Sequence, residues 1–314
     1  MPSNGQATAP SPITEAVLLA AGLGSRLRPL TNHLPKALLP VLNKSMLLRW
    51  LEIFAAFGVK RVVVNAHHLA DQIAQALSAA SLNLPNLDIA LSFEETILGT
   101  GGGVKKAALG FSGPFFVINC DIFVDLDLGA LARRHLENMA FATIATVNCP
   151  AKATVSVDPE LQVTGLRLAA GQKAPRESAR LCGLGALIVS PEFWEVLPRN
   201  FSDLIAELAK YLSRKVLAYP FPGSFWSDMG TVASYWELNQ RLAQNRVIVG
   251  PGARIEGETG GFVILGAEAV IERGALVIDS VLWPGARVES GTVAKGTVVT
   301  GRELSGGEAD GVWN

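Results

Sequence analysis

Short aliphatic runs alternate with stretches of helical period along the first half of the chain. Glu15–Ala20 (EAVLLA) is an apolar run closed by a glycine turn, the pattern of a strand buried on both faces. Ser45–Phe57 repeats its apolar positions with a helical period and ends at Gly58, a residue suited to a C-cap. Arg61–Asn65 predicts the next strand, Leu69–Ala80 the next helix and Asp88–Phe93 a third strand. Val104–Leu109 predicts a helix behind a glycine triplet. Phe115–Asn119 predicts a fourth strand, Leu128–Met139 a helix and Ala142–Val147 another strand. Asp125 and Asp127 read as caps of the helix near Leu128.

This alternation predicts an α/β fold: a Rossmann-like, mostly parallel sheet with helices on both faces. Polar and glycine residues collect just after the strands, at Gly22–Arg26, Glu94–Gly103 and Asp121–Asp125. In open α/β sheets the ligand crevice lies at the C-terminal strand ends, so three segments point to one crevice. Past Pro150 the pattern predicts a hairpin over Thr154–Leu168, a strand at Ala186–Val189, and helices at Pro191–Leu197 and Ser202–Leu212. A strand at Lys215–Phe221 follows. Ser234–Ala243 then predicts a helix with Ser234 and Glu237 at capping-box spacing.

From Val249 the period changes. Aliphatic residues recur at six-residue steps, at Val249 and Ile255, at Leu265, Ile271 and Val277, and at Leu282 and Val288, with Gly or Ala between them. A hexad of this kind predicts a short C-terminal left-handed β-helix of two to three coils. The expected organisation is a disordered tail over 1–12, a catalytic domain over 13–245, the hexapeptide-repeat β-helix over 246–302 and a frayed tail over 303–314.

Composition narrows the partners. Of 314 residues 49 % are hydrophobic and 18 % charged, enough for a large core, and the net charge of −1 lacks the basic excess of a nucleic-acid binder. Three cysteines without CxxC spacing argue against a disulfide framework or a structural zinc site. No apolar run reaches the roughly 18 residues of a membrane span. Residues 1–12 carry no apolar signal core, so a cytoplasmic protein is expected.

The densest chemistry lies in Ala20–Pro40. A strand runs into Gly22 and Gly24, whose backbone N–H groups can approach an anion closely, and Arg26 and Lys36 add positive charge. A dinucleotide fingerprint would need a third glycine where Leu27 stands, and a P-loop would need GK followed by Ser or Thr. Further on, Asn119-Cys120-Asp121 delivers a carboxylate at a strand end, a common way to hold Mg²⁺ together with phosphate oxygens. His67 and His68 read as a helix entry without chemistry.

GLGSRLRPLT together with PKALLPVLNKSML resembles the signature of the sugar-1-phosphate nucleotidyltransferases, the nucleotide-sugar pyrophosphorylases. The resemblance implies that Arg26 and Lys36 contact the phosphates and act in catalysis, with Leu19, Ala20, Ala21, Gly22 and Gly24 binding nucleotide. It departs from the common pattern at Ala37 and Ser45, neither of which removes a charge. It implies a base contact at Glu94 and backbone contacts at Gly99 and Thr100. A carboxylate only accepts hydrogen bonds, and guanine offers two adjacent donors, so Glu94 at the base would favour GTP. The crowded glycines of Gly99–Gly103 are read as a close approach to a flat ligand.

Phe225–Thr231 (FWSDMGT) resembles the family's W-x-D-x-G-T block, which implies that Asp228 joins Asp121 as a Mg²⁺ ligand. The family's EKP motif is absent from Leu168–Arg180, leaving Glu177 and Lys173 as sugar-side candidates, with Gly183 and Gly185 as the floor of the sugar pocket.

The expected partners are an NTP and a sugar 1-phosphate, with GTP and mannose 1-phosphate favoured. The alternatives are a uridylyltransferase acting on N-acetylmuramate 1-phosphate or another hexose 1-phosphate, and a non-catalytic nucleotide-sugar-binding regulatory subunit. A hexapeptide acyltransferase is set aside because no histidine follows His135. A homo-oligomer is expected, because a short β-helix leaves open ends.

Overall fold

In the computed structural model residues 13–169, 171–221, 225–301 and 308–310 are described. The expected tail over 1–12 lies outside them. The chain groups into two compact units, Met1–Gly22 with Trp50–Trp226, and Leu23–Arg49 with Ser227–Asn314.

The first unit is built on a nine-stranded sheet. Strand β1 (Glu15–Leu19) lies between β2 (Arg61–Ala66) and β4 (Phe115–Asn119), with β3 (Asp88–Phe93) outside β2, and all four run parallel. Their aliphatic runs are the cause, since a strand covered on both faces needs apolar residues on both. Next come β5 (Ala142–Val147), β6 (Val155–Val157), β7 (Val163–Leu166), β8 (Ala179–Val189) and β9 (Val216–Pro220). β6 and β7 form the expected hairpin. β8 begins well before the expected Ala186, because its first residues pair with β6. It inserts antiparallel between β4 and β5, and β9 runs parallel to β5.

The helices are α1 (Met46–Phe57), α2 (Ala70–Asn83), α3 (Gly99–Ala107), α4 (Leu128–Glu137), α5 (Pro191–Val196) and α6 (Leu204–Ala209). α1 stops at Gly58, whose φ of 101° takes the left-handed C-cap and whose N–H donates to Phe54 O. Asp127, and not Asp125, caps α4, accepting from Ala130 N at 2.8 Å. The glycine triplet lies inside α3 and not ahead of it. The core gathers Val17, Val63 and Val117 from the central strands with Ile144, Leu187 and Phe193. Phe193 meets both Phe141 and Tyr211, and burying such a ring contributes about 1.5–3 kcal/mol.

The second unit contains α7 (Val232–Ala243) followed by short strands. These are β10 (Val247–Val249), β11 (Arg254–Ile255), β12 (Glu258–Leu265), β13 (Val270–Ile271), β14 (Leu276–Leu282), β15 (Arg287–Val288), β16 (Val293–Lys295) and β17 (Val298–Val299). They stack into three parallel ladders: β10–β12–β14–β17, β11–β13–β15, and the first residues of β12 and β14 with β16. A further strand, β18 (Glu308–Asp310), pairs with β16 inside the stretch expected to fray.

The hexad residues Leu265, Ile271, Val277, Leu282 and Val288 form the buried column of this unit. Val249 and Ile255 do not join it and remain 51 % and 39 % exposed. They sit on the first rung of their ladders and have a stacked neighbour on one side only.

The capping box of α7 is Thr231 with Ser234 rather than Ser234 with Glu237, because the helix starts a half-turn earlier. α7 groups with the short parallel strands that follow it. Trp236 packs edge-on against Phe262 and donates to Asp279 O at 2.8 Å. Tyr235 donates to Pro40 O at 2.7 Å, and Asn43 Nδ2 donates to Leu265 O at 2.7 Å, so Leu23–Arg49 is held in the same unit.

Candidate active site

In the first unit the register sets Leu19, Asn65 and Asn119 level across the C-terminal ends of β1, β2 and β4. The residues that follow them are Ala20–Gly22 and Cys120–Asp121, with Glu94 just past β3. This is the strand edge where an α/β sheet receives a ligand. A Cβ built on exposed Gly22 would meet nothing within 4 Å, so no protein neighbour requires a glycine there.

Glu94 departs from the expectation. It is 1 % exposed, and both carboxylate oxygens are engaged within the protein: Oε1 accepts from Asn65 Nδ2 at 2.8 Å and Oε2 from Leu98 N at 2.9 Å. Its carbonyl lies 2.8 Å from His67 Nδ1. The protein's own bonds thus account for one acceptor site on each oxygen of this carboxylate. Exposed Glu95 beside it is solvated.

The glycines of α3 are also explained by the protein itself. A Cβ on Gly99 would lie 2.4 Å from Ser202 O, and one on Gly102 2.4 Å from Asn200 O. One on Gly103 would lie 2.7 Å from Asn65 Nδ2. Gly101 N donates to Ser202 O, and Thr100 Oγ1 accepts from Leu204 N at 2.8 Å, at the start of α6. The run permits backbone-to-backbone packing of α3 on residues 200–204. Its other end is fastened by Lys105, which donates to the Trp194 and Glu195 carbonyls at 2.9 and 3.0 Å and lies over the Trp194 ring. Burial and the Arg199 charge lower the pKa of this lysine.

On the expected sugar side, Gly185 takes a φ of 77°, and a Cβ there would sit 2.9 Å from Asn119 Nδ2. Gly183 has only ordinary contact with Val155. Trp226 donates to Leu184 O at 3.3 Å, and Lys152 Nζ lies 5.0 Å from its ring centroid. Glu177 is bound into its own loop, accepting from Ala174 N and paired with Arg180 at 3.2 Å. Hydrogen bonds from Ser156 and Ala174 lower its pKa. These bonds account for Glu177 without a sugar.

In the second unit Gly24 takes a φ of 62° and leads a 3₁₀ turn over Ser25–Leu27. Thr31 Oγ1 donates to Gly24 O at 2.8 Å, and Thr31 Cγ2 would lie 2.7 Å from a Cβ on Gly24. Arg26 is exposed on this turn, and Lys36 opens another 3₁₀ turn after Pro35. Arg26 and Asp228, far apart in sequence, converge on Gly230. A Cβ there would lie 3.4 Å from Asp228 Oδ2 and 3.5 Å from Arg26 Nη2.

Among the described residues no three His, Cys, Asp or Glu side chains form a metal-holding group. No helix among them is long and apolar enough to cross a membrane. Asn65, buried among aliphatic neighbours at the end of β2, is the residue that sequence reasoning passed over. Its signal was a polar side chain closing an apolar strand, the same feature that drew attention to Asp121.

Residues 15–155 match the family model described as "Nucleotidyl transferase". The chain is 29 % identical to a UTP–glucose-1-phosphate uridylyltransferase of Synechocystis sp., over 91 % of this chain and 82 % of that one. It is 28 % identical to a probable mannose-1-phosphate guanylyltransferase of Oryza sativa, over 91 % and 81 %. The fold is similar to that of HddC from Yersinia pseudotuberculosis solved with GMP-PN, with a TM-score of 0.61 at 22 % identity, covering 73 % of this chain and all of that one. Residues 15–155 thus match the nucleotidyl transferases, and over 91 % of its length the chain is similar to sugar-1-phosphate nucleotidyltransferases.

Proposed function

We propose that this protein transfers a nucleotidyl group from GTP to mannose 1-phosphate, yielding a nucleoside-diphosphate sugar and pyrophosphate. The observation that carries a polyphosphate site is the convergence of the Arg26 guanidinium and the Asp228 carboxylate on Gly230. The open space beside Gly22 adds to it. The reaction needs no protein nucleophile. A phosphate oxygen of the sugar phosphate attacks the α-phosphorus, and pyrophosphate departs with the electrons of the broken P–O bond.

The protein's part is to position the two substrates and neutralise charge. Arg26 forks the leaving pyrophosphate, and Lys36 neutralises the phosphate that changes bonding. The backbone N–H groups of Leu19–Gly24 line the nucleotide. Asp121 and Asp228 are each half-buried hard oxygen donors of the kind Mg²⁺ takes, and they are the residues that would hold it. When bound, Mg²⁺ supplies charge neutralisation at phosphate oxygens.

The choice of GTP rests on the guanylyltransferase relatives and no longer on Glu94. The second reading is uridylyl transfer to a hexose 1-phosphate, favoured by the Synechocystis relative. A matrix of GTP and UTP against mannose, glucose and N-acetylmuramate 1-phosphates, read by pyrophosphate release with Mg²⁺, separates them. Fastest turnover with GTP and mannose 1-phosphate is expected. Fastest turnover with UTP overturns the guanylyl assignment, and none with any pair leaves the regulatory-subunit reading.

For the second unit we read the three ladders as coils of a short left-handed β-helix. Its first coil exposes Val247, Val249 and Ile255, an open end that favours self-association. A monomer by light scattering at micromolar concentration would sink that assignment.

A further inference from the structure

We infer that Asn65 is a positioning residue for the nucleotide, joining the loop after β1 to the segment around Glu94 through a three-bond relay. The inference rests on the nucleotidyl-transfer reading above. Asn65 is 2 % exposed at the end of β2. Its Oδ1 accepts from Ala20 N at 2.7 Å, at the first residue after β1. Its Nδ2 donates to Glu94 Oε1 at 2.8 Å, and Glu94 Oε2 accepts from Leu98 N at 2.9 Å, at the entry to α3. The loop after β1, the end of β2 and the loop after β3 are thereby held to one spacing by two side chains.

Each link is directional. An amide can accept with its oxygen and donate with its nitrogen, whereas a carboxylate only accepts. At 65 the chain must accept from Ala20 and donate to 94. At 94 it must accept twice. Amide at 65 and carboxylate at 94 satisfy all three bonds. Gly103 leaves the space that the pair occupies, since a Cβ there would lie 2.7 Å from Asn65 Nδ2 and 2.8 Å from Glu94 Oε1. Losing a buried partner costs the full desolvation of the group left behind, so the pair is sensitive to either substitution.

The reversed pair, Asn65→Asp with Glu94→Gln, keeps every bond. The new carboxylate at position 65 would accept from Ala20 N and from the new amide at position 94. The oxygen of that amide would accept from Leu98 N. The charge moves from position 94 to position 65 while the spacing is kept. A relay that positions tolerates this exchange, and a carboxylate that reads the base does not.

The experiment measures kcat, KM for GTP and UTP, KM for the sugar 1-phosphate and calorimetric nucleotide binding in N65A, N65D, E94Q and N65D/E94Q, with thermal melts alongside. N65A is expected to raise the NTP KM about tenfold while the sugar-phosphate KM stays within about twofold. N65D sets two carboxylates against each other and is expected to recover nucleotide affinity as pH falls and one takes up a proton. The double variant is expected to return the NTP KM to within about threefold of the parent, with its preference between GTP and UTP unchanged.

A double variant no better than the worse single overturns the relay. So does an altered preference between GTP and UTP, which would put the Glu94 carboxylate on the base. Equal rises in both KM values also overturn it, because they would mark general loosening. If N65A does not fold, the near-isosteric double variant still decides. Absence of turnover in the parent enzyme would sink the proposed reaction, while calorimetric nucleotide binding would still report on the relay.

Discussion

Two glycine-rich segments of this chain look alike in sequence and exist for different reasons. Gly22 has nothing within 4 Å of where a Cβ would be, and the protein makes no demand on it. Gly99 and Gly102 each face a backbone carbonyl at 2.4 Å from the same construction. One glycine leaves space beside a site, and the others fill a tight joint between α3 and residues 200–204. Glycine density therefore signals close approach but does not say whether a ligand or the protein's own backbone approaches.

The comparison breaks most clearly at Gly99→Ala. The methyl meets Ser202 O, and the φ of 68° disfavours any side chain, so a loss of about 4 kcal/mol is expected by urea unfolding. Loss below about 1 kcal/mol would mean that the joint is soft and the contrast unfounded.

The contrast should be measured above pH 7, because His135 adds an acid-sensitive contribution common to all variants. Burial lowers its pKa to about 4 from 6.5, so the unfolded chain takes up a proton first as pH falls. Stability is then fully present above pH 6.5, falls by about 3 kcal/mol toward pH 4 and levels off below that. His135→Gln should flatten this segment of the stability–pH curve, and an unchanged slope would refute the assignment.

Gly22→Ala should do the reverse of Gly99→Ala. Its melting temperature should match the parent, while kcat/KM for the NTP falls about a hundredfold, or about 2.7 kcal/mol. A matching loss of stability would place Gly22 with the α3 glycines. The smallest effect is expected at Thr31→Val, which removes the bond to Gly24 O. About 1 kcal/mol in stability and a rise of a few fold in the NTP KM are expected by the same two assays.

Most of the sheet unit was legible in the sequence. Glu15–Leu19, Asp88–Phe93 and Phe115–Asn119 announce themselves as aliphatic runs, and Gly58 ends α1 where a C-cap was expected. The hairpin of β6 and β7 was equally plain. The start of β8 was not, because its first residues owe their strand conformation to pairing with β6 rather than to their own pattern. The hexad positions from Leu265 to Val288 fall in the buried column of the second unit, yet the exposure of Val249 and Ile255 follows from being first in a stack. At the candidate site the basic residues Arg26 and Lys36 and the carboxylates Asp121 and Asp228 stood out by type and motif. Asn65 did not, and neither did the internal bonds of Glu94 and Glu177.

The sequence by itself determined what depends on near neighbours along the chain: the period of each element, the turn at Gly24 and the charges that follow it. Hydrophobic period and turn chemistry act over a few residues, so they can be read without the fold. Only the tertiary structure decided why Gly99 and Gly102 are glycines, and that Glu94 is held by Asn65 and Leu98. It also decided that Arg26 and Asp228 both come close to Gly230. Those outcomes turn on contacts between residues far apart in sequence, where a few tenths of an ångström separate a packed joint from an open site.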